Sequence, residues 1–232
     1  MRATFAALCL ICGLALAGGG AVAQTSPVVV ELFTSQGCSS CPPADELLHE
    51  LAAREDVIAL ALHVDYWDYI GWADAFARPQ FTRRQQGYAM IAGAHMVYTP
   101  QMVIGGTDHV AGADRPAVLA QLRRHAAAVS DVRLDLRREG GALVIAAEAG
   151  AARPMVVQLV RYVPEQTVEI GAGENIGRHI SYANIVTSWE VLTLWTGQAP
   201  LALRTATAGD GPVVVIIQAE GPGPVLAAAR LD

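Results

Sequence analysis

The sequence predicts two domains in succession, an α/β domain over residues 27–130 and an antiparallel β-sandwich-like domain over residues 131–232. In the first range, continuous apolar runs rich in β-branched residues alternate with helical patterns, which is typical of parallel strands joined by helices. In the second range, short alternating runs are separated by turns that contain Gly or Pro, which is typical of antiparallel strands. No low-complexity linker separates the ranges, so we expect the two domains to pack closely.

The first domain begins with a β-α-β unit. Pro27–Phe33 is a continuous apolar run, which indicates a strand that is buried on both faces. A helical pattern starts at Cys38; Pro42 suits its first turn because an N–H group has no partner there, and Asp45 suits the positive helix start. Val57–Val64 is a second buried run after a connection of helix length, so we expect the two strands to be parallel.

The remainder of the first domain is predicted to contain an aromatic segment, two helices and a hairpin. Residues 65–95 are rich in Trp, Tyr and Phe, and a helical pattern covers Pro79–Ile91. Tyr98–Ile104 indicates a third strand, and Asp108–Ala111 indicates a short returning strand. Arg115–Val129 is an amphipathic helical pattern that closes the domain.

Strands of the second domain are predicted wherever the alternating pattern recurs between turn residues. The runs are Val132–Leu136, Ala142–Ala147, Met155–Val163, Arg178–Val186, Val213–Ala219 and Val225–Arg230. Gly173–Arg178 is predicted to be a tight turn, because Gly and Asn adopt positive φ readily. The functional alternative is that Glu174 and Arg178 reach toward the cysteines of the first domain.

Residues 1–23 have the pattern of a secretory signal peptide. An apolar run over residues 3–17 follows a single Arg, and Ala21-Val22-Ala23 is a small-x-small cleavage pattern. The apolar run is shorter than the roughly 20 residues of a membrane-spanning helix. We therefore expect a periplasmic or secreted protein with no stable membrane insertion after cleavage; a retained N-terminal anchor is the alternative.

The charge of the chain argues against two classes of partner. The formal net charge is -6, and the strongly basic side chains are all Arg because the chain contains no Lys. Nucleic acids and anionic membrane surfaces recruit proteins through clustered positive charge. We therefore do not expect this protein to bind either of them.

The four cysteines form two close pairs in the sequence, and only one pair is expected to remain in the mature protein. Cys9 and Cys12 lie within the signal peptide and are expected to be removed with it. A disulfide between Cys38 and Cys41 closes a loop too short to stabilise the fold much, because that stabilisation grows with the length of chain closed. Chemical reactivity is the better explanation of such a pair in an exported protein.

A C-x-x-C sequence at the start of a helix favours thiol chemistry. The first sulfur faces unpaired N–H groups and the positive end of the helix dipole, which stabilise a thiolate. We therefore predict that Cys38 is the nucleophile and that Cys41 resolves the mixed disulfide. The alternative is a structural zinc site, but such a site needs a second pair of ligands at similar spacing, which the sequence does not show.

Several motifs carry a resemblance to known proteins. Residues 27–130 resemble the thioredoxin superfamily through V-V-V-E-L-F-T-S-Q-G-C-S-S-C-P-P and Y-T-P-Q-M-V-I-G-G. With H-V-D-Y-W-D-Y-I-G-W at 63–72 and G-E-N-I-G-R at 173–178, the chain also resembles a family of secreted bacterial proteins known only as a domain of unknown function. The resemblance implies a thioredoxin-like fold with a β-rich C-terminal addition, and it supplies no substrate. Ser39-Ser40 departs from the Gly-Pro pair of thioredoxin, which leaves the direction of electron flow open.

The resemblance also implies roles for three residues near the cysteines. In thioredoxin-like folds, a cis-proline at the position of Pro100 borders the dithiol and, with the neighbouring Thr99, presents backbone to an extended substrate. Glu31 lies near the position where such enzymes often carry a buried acid that helps to deprotonate the second thiol. The alternative for Glu31 is a strand acid that is partly exposed or paired with Arg.

Aromatic residues after the second predicted strand are candidates for a substrate groove. Tyr66, Trp67 and Trp72 follow the carboxyl end of that strand, which is the edge where open α/β sheets bind ligands. Such rings could line a groove for a peptide beside the dithiol. Packing of these rings in the core is the alternative.

Copper binding is an alternative to thiol–disulfide exchange. Soft thiolate and thioether ligands favour Cu(I), and imidazole also binds copper. The candidate ligands besides the cysteines are His63, His95, His109, Met96 and Met102. For each of these side chains, a structural or surface role is the competing interpretation.

The sequence thus predicts an exported thiol–disulfide oxidoreductase that uses Cys38 and Cys41 on a protein or small-thiol partner. The redox-active pair serves in place of a separate cofactor in this prediction. Two alternatives belong to other classes: a copper-binding chaperone or assembly factor, and a non-catalytic interaction protein that keeps the fold. Exchange activity that disappears in the Cys38→Ser variant separates the first hypothesis from the other two.

Overall fold

The computed structural model describes residues 26–206, 209 and 211–232 of the chain. The predicted signal peptide, together with Cys9 and Cys12, lies outside the described residues. Within the described part of the chain, no helix combines the length and the apolar character that crossing a bilayer requires.

The described residues form three α-helices and eleven β-strands. The helices are α1 (Pro42–Ala52), α2 (Pro79–Ile91) and α3 (Arg115–Ala126). The strands are β1 (Val28–Thr34), β2 (Val57–His63), β3 (Gln101–Ile104), β4 (Asp108–Ala111), β5 (Val132–Glu139), β6 (Ala142–Ala149), β7 (Met155–Glu169), β8 (His179–Trp195), β9 (Leu201–Ala206), β10 (Val213–Ala219) and β11 (Val225–Leu231). The predicted positions of the helices are confirmed, and every strand except β9 has a counterpart in the prediction.

The strands of the described residues form one large sheet and one small sheet. Eight strands form a mixed sheet in the order β11-β10-β7-β8-β2-β1-β3-β4, and three form an antiparallel sheet in the order β5-β6-β9. In the large sheet, β2 is parallel to both of its neighbours, β1 and β8. The prediction of an α/β thioredoxin-like domain followed by a β-sandwich-like domain is therefore wrong, because strands dominate and both halves of the chain share one sheet.

The two halves of the chain join where β8 lies beside β2. Ala61 pairs with Ile185 in parallel register, and the side-chain amide of Asn184 donates a hydrogen bond to the carbonyl oxygen of Ala59 at 2.8 Å. Both β7 and β8 extend well beyond the predicted strands, and their hairpin reaches onto the first half of the chain. An alternating pattern indicates a strand with two different faces, but it does not specify which sheet edge the strand will join. For this reason the fold class could not be predicted from the pattern.

The two faces of the large sheet are covered by different helices. Along β1, Val30 and Leu32 point to the face that α1 and α3 cover, whereas Val29 and Phe33 point to the face that α2 covers. This alternation follows from the two-residue period of a strand. The small sheet packs its apolar side chains against β7, β10 and β11. Burial on both faces explains the continuous apolar runs of β1 and β2.

Candidate functional site

Cys38 and Cys41 form a disulfide bond at the start of α1. The sulfur atoms are 2.10 Å apart and the Cα atoms are 5.4 Å apart. Cys41 immediately precedes the helix, and Pro42 lies in its first turn, as the sequence predicts. The carbonyl oxygen of Cys41 accepts hydrogen bonds from the N–H groups of Ala44 and Asp45, at 2.8 and 3.1 Å. The pair therefore lies at the positive end of the helix dipole.

Both cysteines are completely buried, with 0% of either residue exposed. Ser39 and Ser40, which lie between them, are exposed, and the sulfur of Cys38 is 3.4 Å from the hydroxyl oxygen of Ser40. The described residues enclose the disulfide loop with the segment after β2, the segment before β3 and the turn between β7 and β8. In this closed form, neither sulfur atom is exposed to solvent.

The segment before β3 places Pro100 near the first turn of α1 and Thr99 against Trp67. The peptide bond between Thr99 and Pro100 is cis. A Cβ atom added to Gly112 would lie 3.0 Å from the Cβ of Ala44 and 3.1 Å from the Cβ of Pro100, so Pro100 lies close to the first turn of α1. The indole N–H of Trp67 donates a hydrogen bond to the hydroxyl of Thr99 at 2.8 Å. The substrate-binding role of these residues stays a prediction.

The segment after β2 packs against the loop that precedes Cys38. The indole N–H of Trp72 donates to the side-chain oxygen of Gln36 at 2.7 Å. A Cβ atom added to Gly37 would lie 3.1 Å from Ile70 and 3.2 Å from Trp67, so only glycine fits this approach without a shift of its neighbours. Trp67 and Trp72 therefore form part of the wall around the disulfide loop.

Tyr66 lies between α2 and Thr99. Its hydroxyl donates a hydrogen bond to the side-chain oxygen of Gln85 at 3.2 Å. Burial raises the pKa of the Tyr66 hydroxyl to about 12, so it stays neutral over the physiological range. Of the three aromatic residues in the predicted groove, Trp67 and Trp72 contact the loop before Cys38 directly, whereas the Tyr66 hydroxyl interacts with Gln85 and Thr99.

The turn Gly173–Arg178, between β7 and β8, lies against the loop that carries the disulfide. The side-chain amide of Asn175 donates hydrogen bonds to the carbonyl oxygens of Gln36 and Cys38, at 2.9 and 3.0 Å. The predicted turn is confirmed. The inward direction of Asn175 is not predictable, because a turn pattern does not specify which of its side chains faces the protein.

Glu31 is completely buried on the face of the sheet opposite α1. It alternates with Leu32 along β1 and so points toward α2. Its carboxylate accepts two hydrogen bonds from Arg84, at 2.5 and 2.7 Å, and one from the hydroxyl of Tyr88 at 2.6 Å. The guanidinium of Arg84 also stacks over Trp189 at 3.8 Å from the ring centroid. These contacts agree with the alternative that Glu31 is a strand acid paired with Arg. Proton transfer by Glu31 stays a prediction, and its position on the face of the sheet opposite α1 does not favour it.

A different acid, Asp45, lies on the same side of the sheet as the disulfide. It follows Cys41 by four residues in the chain, so the two side chains share one side of α1. Its Oδ1 accepts a hydrogen bond from the hydroxyl of Thr34 at 2.9 Å, whereas Oδ2 has no protein partner. Burial raises the pKa of the Asp45 carboxyl well above its usual value. The sequence indicated Asp45 only as an acid near a helix start, because its burial depends on the tertiary fold.

His63 and Asp74 form a buried pair behind the disulfide loop. Nδ1 of His63 is 2.7 Å from Oδ2 of Asp74, and the same oxygen accepts a hydrogen bond from the backbone N–H of Gln36 at 2.8 Å. Burial acts to raise the pKa of Asp74, but His63 and backbone hydrogen bonds hold it below its usual value. The charged carboxylate of Asp74 thereby fixes the backbone just before Cys38.

Unpartnered polar atoms converge beneath the start of α1. Among the described residues, Gln36 Nε2, Asp45 Oδ2, His63 Nε2 and Tyr182 OH are buried without a protein hydrogen-bond partner. The ring of Tyr182 is 4.8 Å from that of His63, and burial together with the charges of Asp45 and Asp74 raises the pKa of its hydroxyl. We call Asp45, His63, Asp74 and Tyr182 the buried polar cluster. Buried groups with shifted pKa values, here Asp45 and Tyr182, concentrate at functional sites, so the cluster belongs to the candidate site.

The candidate copper ligands do not converge on the disulfide. His63 lies on the α1 face, whereas His109 lies on the α2 face, with its ring 5.9 Å from that of Tyr88. Met102 is buried in the core, and Met96 is 79% exposed. Within the residues that the structure describes, no three His, Cys, Asp or Glu side chains are grouped to hold a metal ion.

The fold and the site together define a class: a β-rich protein with a large mixed sheet and a closed C-x-x-C disulfide at the amino end of a helix. The chain belongs to the family described as "Protein of unknown function (DUF1223)", which matches residues 29–218. The resemblance to a family of unknown function is therefore confirmed. The resemblance to the thioredoxin superfamily is not confirmed by the comparisons.

Two solved structures are similar to this chain. A protein of Agrobacterium tumefaciens, determined in a structural genomics programme, is 35% identical, with 90% of this chain and 96% of that chain covered at a TM-score of 0.78. HBP35 of Porphyromonas gingivalis is 12% identical, with 89% of this chain and 75% of that chain covered at a TM-score of 0.61, which shows a similarity of fold alone. The comparison with curated proteins found no match.

Proposed function

We propose that the protein is an exported thiol–disulfide oxidoreductase whose reacting atoms are the sulfurs of Cys38 and Cys41. The observation that carries the proposal is the disulfide between them, immediately before α1. So short a loop gains little stability from a cross-link, whereas a helix start favours the thiolate that exchange requires. The partner is a protein or a small molecule that carries a thiol or a disulfide.

The exchange proceeds in two steps when the protein acts as a reductant. The Cys38 thiolate attacks one sulfur of a partner disulfide, the bond between the partner's sulfurs breaks, and one partner thiolate leaves. The Cys41 thiolate then attacks the sulfur of Cys38, forms the intramolecular disulfide and releases the second partner thiolate. Two electrons pass to the partner, and the two protons of the cysteines end on the partner's thiols. The reverse sequence oxidises a partner dithiol, and the relative reduction potentials set the direction.

In this proposal, Asp45 accepts the proton of Cys41. Cys41 must lose a proton before it attacks, and its burial keeps bulk water from acting as the base. Asp45 lies one helical turn further along α1 and has an unpartnered carboxyl oxygen. Its raised pKa suits a group that takes up a proton nearer to neutral pH than an ordinary aspartate.

Trapping of the mixed disulfide tests the proposal. In the Cys41→Ser variant, an adduct on Cys38 has no resolving thiol and accumulates. We expect thiol-sensitive covalent adducts when this variant is produced in its own cell, seen by non-reducing electrophoresis and identified by mass spectrometry. The matched control is Cys38→Ser/Cys41→Ser, which is expected to form none. A Cys41→Ser protein without any protein or small-thiol adduct would contradict the proposal.

Export forms part of the same proposal. Disulfides form and persist in oxidising compartments, and the sequence predicts a cleaved leader over residues 1–23. The expected N-terminus of the mature protein is Gln24. Mass analysis of periplasmic and cytoplasmic fractions measures it, and an uncleaved protein confined to the cytoplasm would refute this part.

Copper binding is a second candidate function, and a separate observation favours it. Met90, His95 and Met96 line one open cavity of about 540 Å³ at the end of α2. Thioether and imidazole ligands together suit Cu(I). We expect Cu(I) uptake, measured against bicinchoninate, to be lost in Met90→Leu/Met96→Leu and retained in Cys38→Ser. A wild-type protein that fails to compete with bicinchoninate removes this candidate.

A further inference from the structure

Asn175 points into the protein from a turn whose neighbouring side chains face solvent. It is 2% exposed, whereas Ile176, the next residue, is 65% exposed. Glu174 and Arg178 are exposed as well. The turn between β7 and β8 therefore inserts a single polar side chain against the disulfide loop.

The amide group of Asn175 is held at both of its ends. Its nitrogen donates to the carbonyl oxygens of Gln36 and Cys38, at 2.9 and 3.0 Å. Its oxygen accepts a hydrogen bond from the guanidinium of Arg178 at 3.2 Å, which orients the amide. Because the amide is uncharged, these contacts can break without leaving a bare charge in the interior.

The base of the turn is fixed to the ends of its two strands. The N–H of Gly177 donates to the carbonyl of Ile170 at 2.7 Å, and the N–H of Ile170 donates to the carbonyl of Arg178 at 2.9 Å. Gly173 and Gly177 adopt positive φ angles of 77° and 78°, which glycine does at little steric cost. The tip that carries Asn175 can therefore move while the hydrogen bonds at the base of the turn stay formed.

We propose that the Gly173–Arg178 turn is an autoinhibitory strap, which closes the disulfide and must lift before a partner sulfur reaches Cys38. This inference rests on the proposed function. A thiolate forms a bond to one sulfur as the S–S bond breaks, so it must reach that sulfur directly, and the completely buried pair offers no such path. Asn175 is the positioning residue of the strap. When it withdraws, the carbonyl oxygens of Gln36 and Cys38 become free to accept N–H groups of a partner chain.

Reduction by dithiothreitol tests the strap on the oxidised protein. The rate of disulfide loss is measured by acid quenching, alkylation of the new thiols and mass analysis. We expect Asn175→Ala to be reduced about tenfold faster than the wild type, because two hydrogen bonds that hold the closed form are lost. Asn175→Asp has the same size without the N–H donors, and we expect an increase at least as large. The matched control, Ile176→Ala, shortens an exposed neighbour and is expected to react at the wild-type rate.

Two outcomes would overturn the strap. One is equal reduction rates for the wild type and both Asn175 variants. The other is an acceleration that follows the loss of stability in urea across all three variants, Ile176→Ala included, because that would indicate general unfolding. A different outcome would contradict the proposed function without contradicting the strap. If the Asn175 variants are reduced faster by dithiothreitol, but neither they nor the wild type in their reduced forms are oxidised by glutathione disulfide, the strap stands and the oxidoreductase proposal falls.

Discussion

Two buried acids, Glu31 and Asp45, lie on opposite faces of the large sheet and have different surroundings. The guanidinium of Arg84 compensates the charge of Glu31 through two hydrogen bonds. Asp45 accepts a single hydrogen bond from a hydroxyl, and the charge of Asp74 disfavours its ionisation further. These environments favour proton transfer by Asp45 and a structural role for Glu31.

Asp45→Asn is expected to change how stability depends on pH. Below about pH 3.9, the usual pKa of an aspartate, both the folded and the unfolded wild type hold this proton, so the burial of Asp45 costs little there. As the pH rises, the unfolded chain releases this proton at a lower pH than the folded protein does, so the free energy of unfolding falls until the folded carboxyl ionises as well. Each unit by which folding raises the pKa contributes about 1.4 kcal/mol. The asparagine variant lacks this loss, so its stability relative to the wild type rises with pH.

Urea unfolding between pH 4 and pH 7.5 measures this difference. Thr34→Val is a useful control, because it removes the hydrogen bond to Asp45 without removing the carboxyl. A stability difference between Asp45→Asn and the wild type that stays constant over this range would show that the pKa of Asp45 is not raised.

Glu31→Gln is expected to destabilise the fold strongly. The substitution leaves the charge of Arg84 largely buried without its counter-ion, which typically costs about 3 to 5 kcal/mol. Chemical denaturation of the oxidised protein measures the loss. The double variant Glu31→Gln/Arg84→Met removes both charges and should recover part of it. A free energy of unfolding for Glu31→Gln within about 1 kcal/mol of the wild-type value would argue against a structural ion pair.

Residues of the candidate site could be predicted from the sequence only where a local motif identifies them. The C-x-x-C sequence identifies Cys38 and Cys41, and the resemblance singles out Pro100. Asn175 is separated from Cys38 by 137 positions, and no local pattern reports that contact. Asp45 occurs where many helices carry an acid, and only the tertiary fold makes it a buried one.

The β2–β8 junction depends on the conformation of Asn184. Its φ of 47° is left-handed, and its amide bonds to Ala59 inside the sheet. Asn184→Ala loses the hydrogen bond and strains the backbone, so we expect its free energy of unfolding to fall by about 2 kcal/mol. Glycine adopts a left-handed φ without strain, so the free energy of unfolding of Asn184→Gly should fall by about half as much. Urea midpoints measure both variants; an alanine variant as stable as the glycine variant would contradict this account.

Helices and strands were largely predictable because each has its own hydrophobic period. The helix over Pro79–Ile91 and the strand over Asp108–Ala111 have the predicted bounds. By contrast, β7 continues beyond its predicted run into polar, exposed residues, where burial no longer imposes a pattern. The extension of β8 covers residues 187–195, where Trp189 and Trp195 pack against the core. The extension of β7 pairs with residues 179–183 of β8, and the extension of β8 pairs with residues 155–161 of β7.

The shared sheet makes the two halves of the chain depend on each other for stability. The predicted domains, residues 27–130 and 131–232, both contribute strands to it. We therefore expect a single unfolding transition, with coincident curves from tryptophan fluorescence and far-ultraviolet circular dichroism. A fragment of residues 27–130 should not fold alone, because it exposes the apolar edge of β2. Two separated transitions would show that the halves are independent domains.

The reduction potential of the Cys38–Cys41 pair tests the proposed chemistry most directly. The protein is equilibrated in glutathione and dithiothreitol redox buffers, and the fraction of oxidised protein is measured after alkylation. An exchange-active pair should be half reduced between about -120 and -270 mV, the range of known oxidoreductases. A pair that stays oxidised below about -300 mV would be a structural disulfide, and the oxidoreductase account would be contradicted.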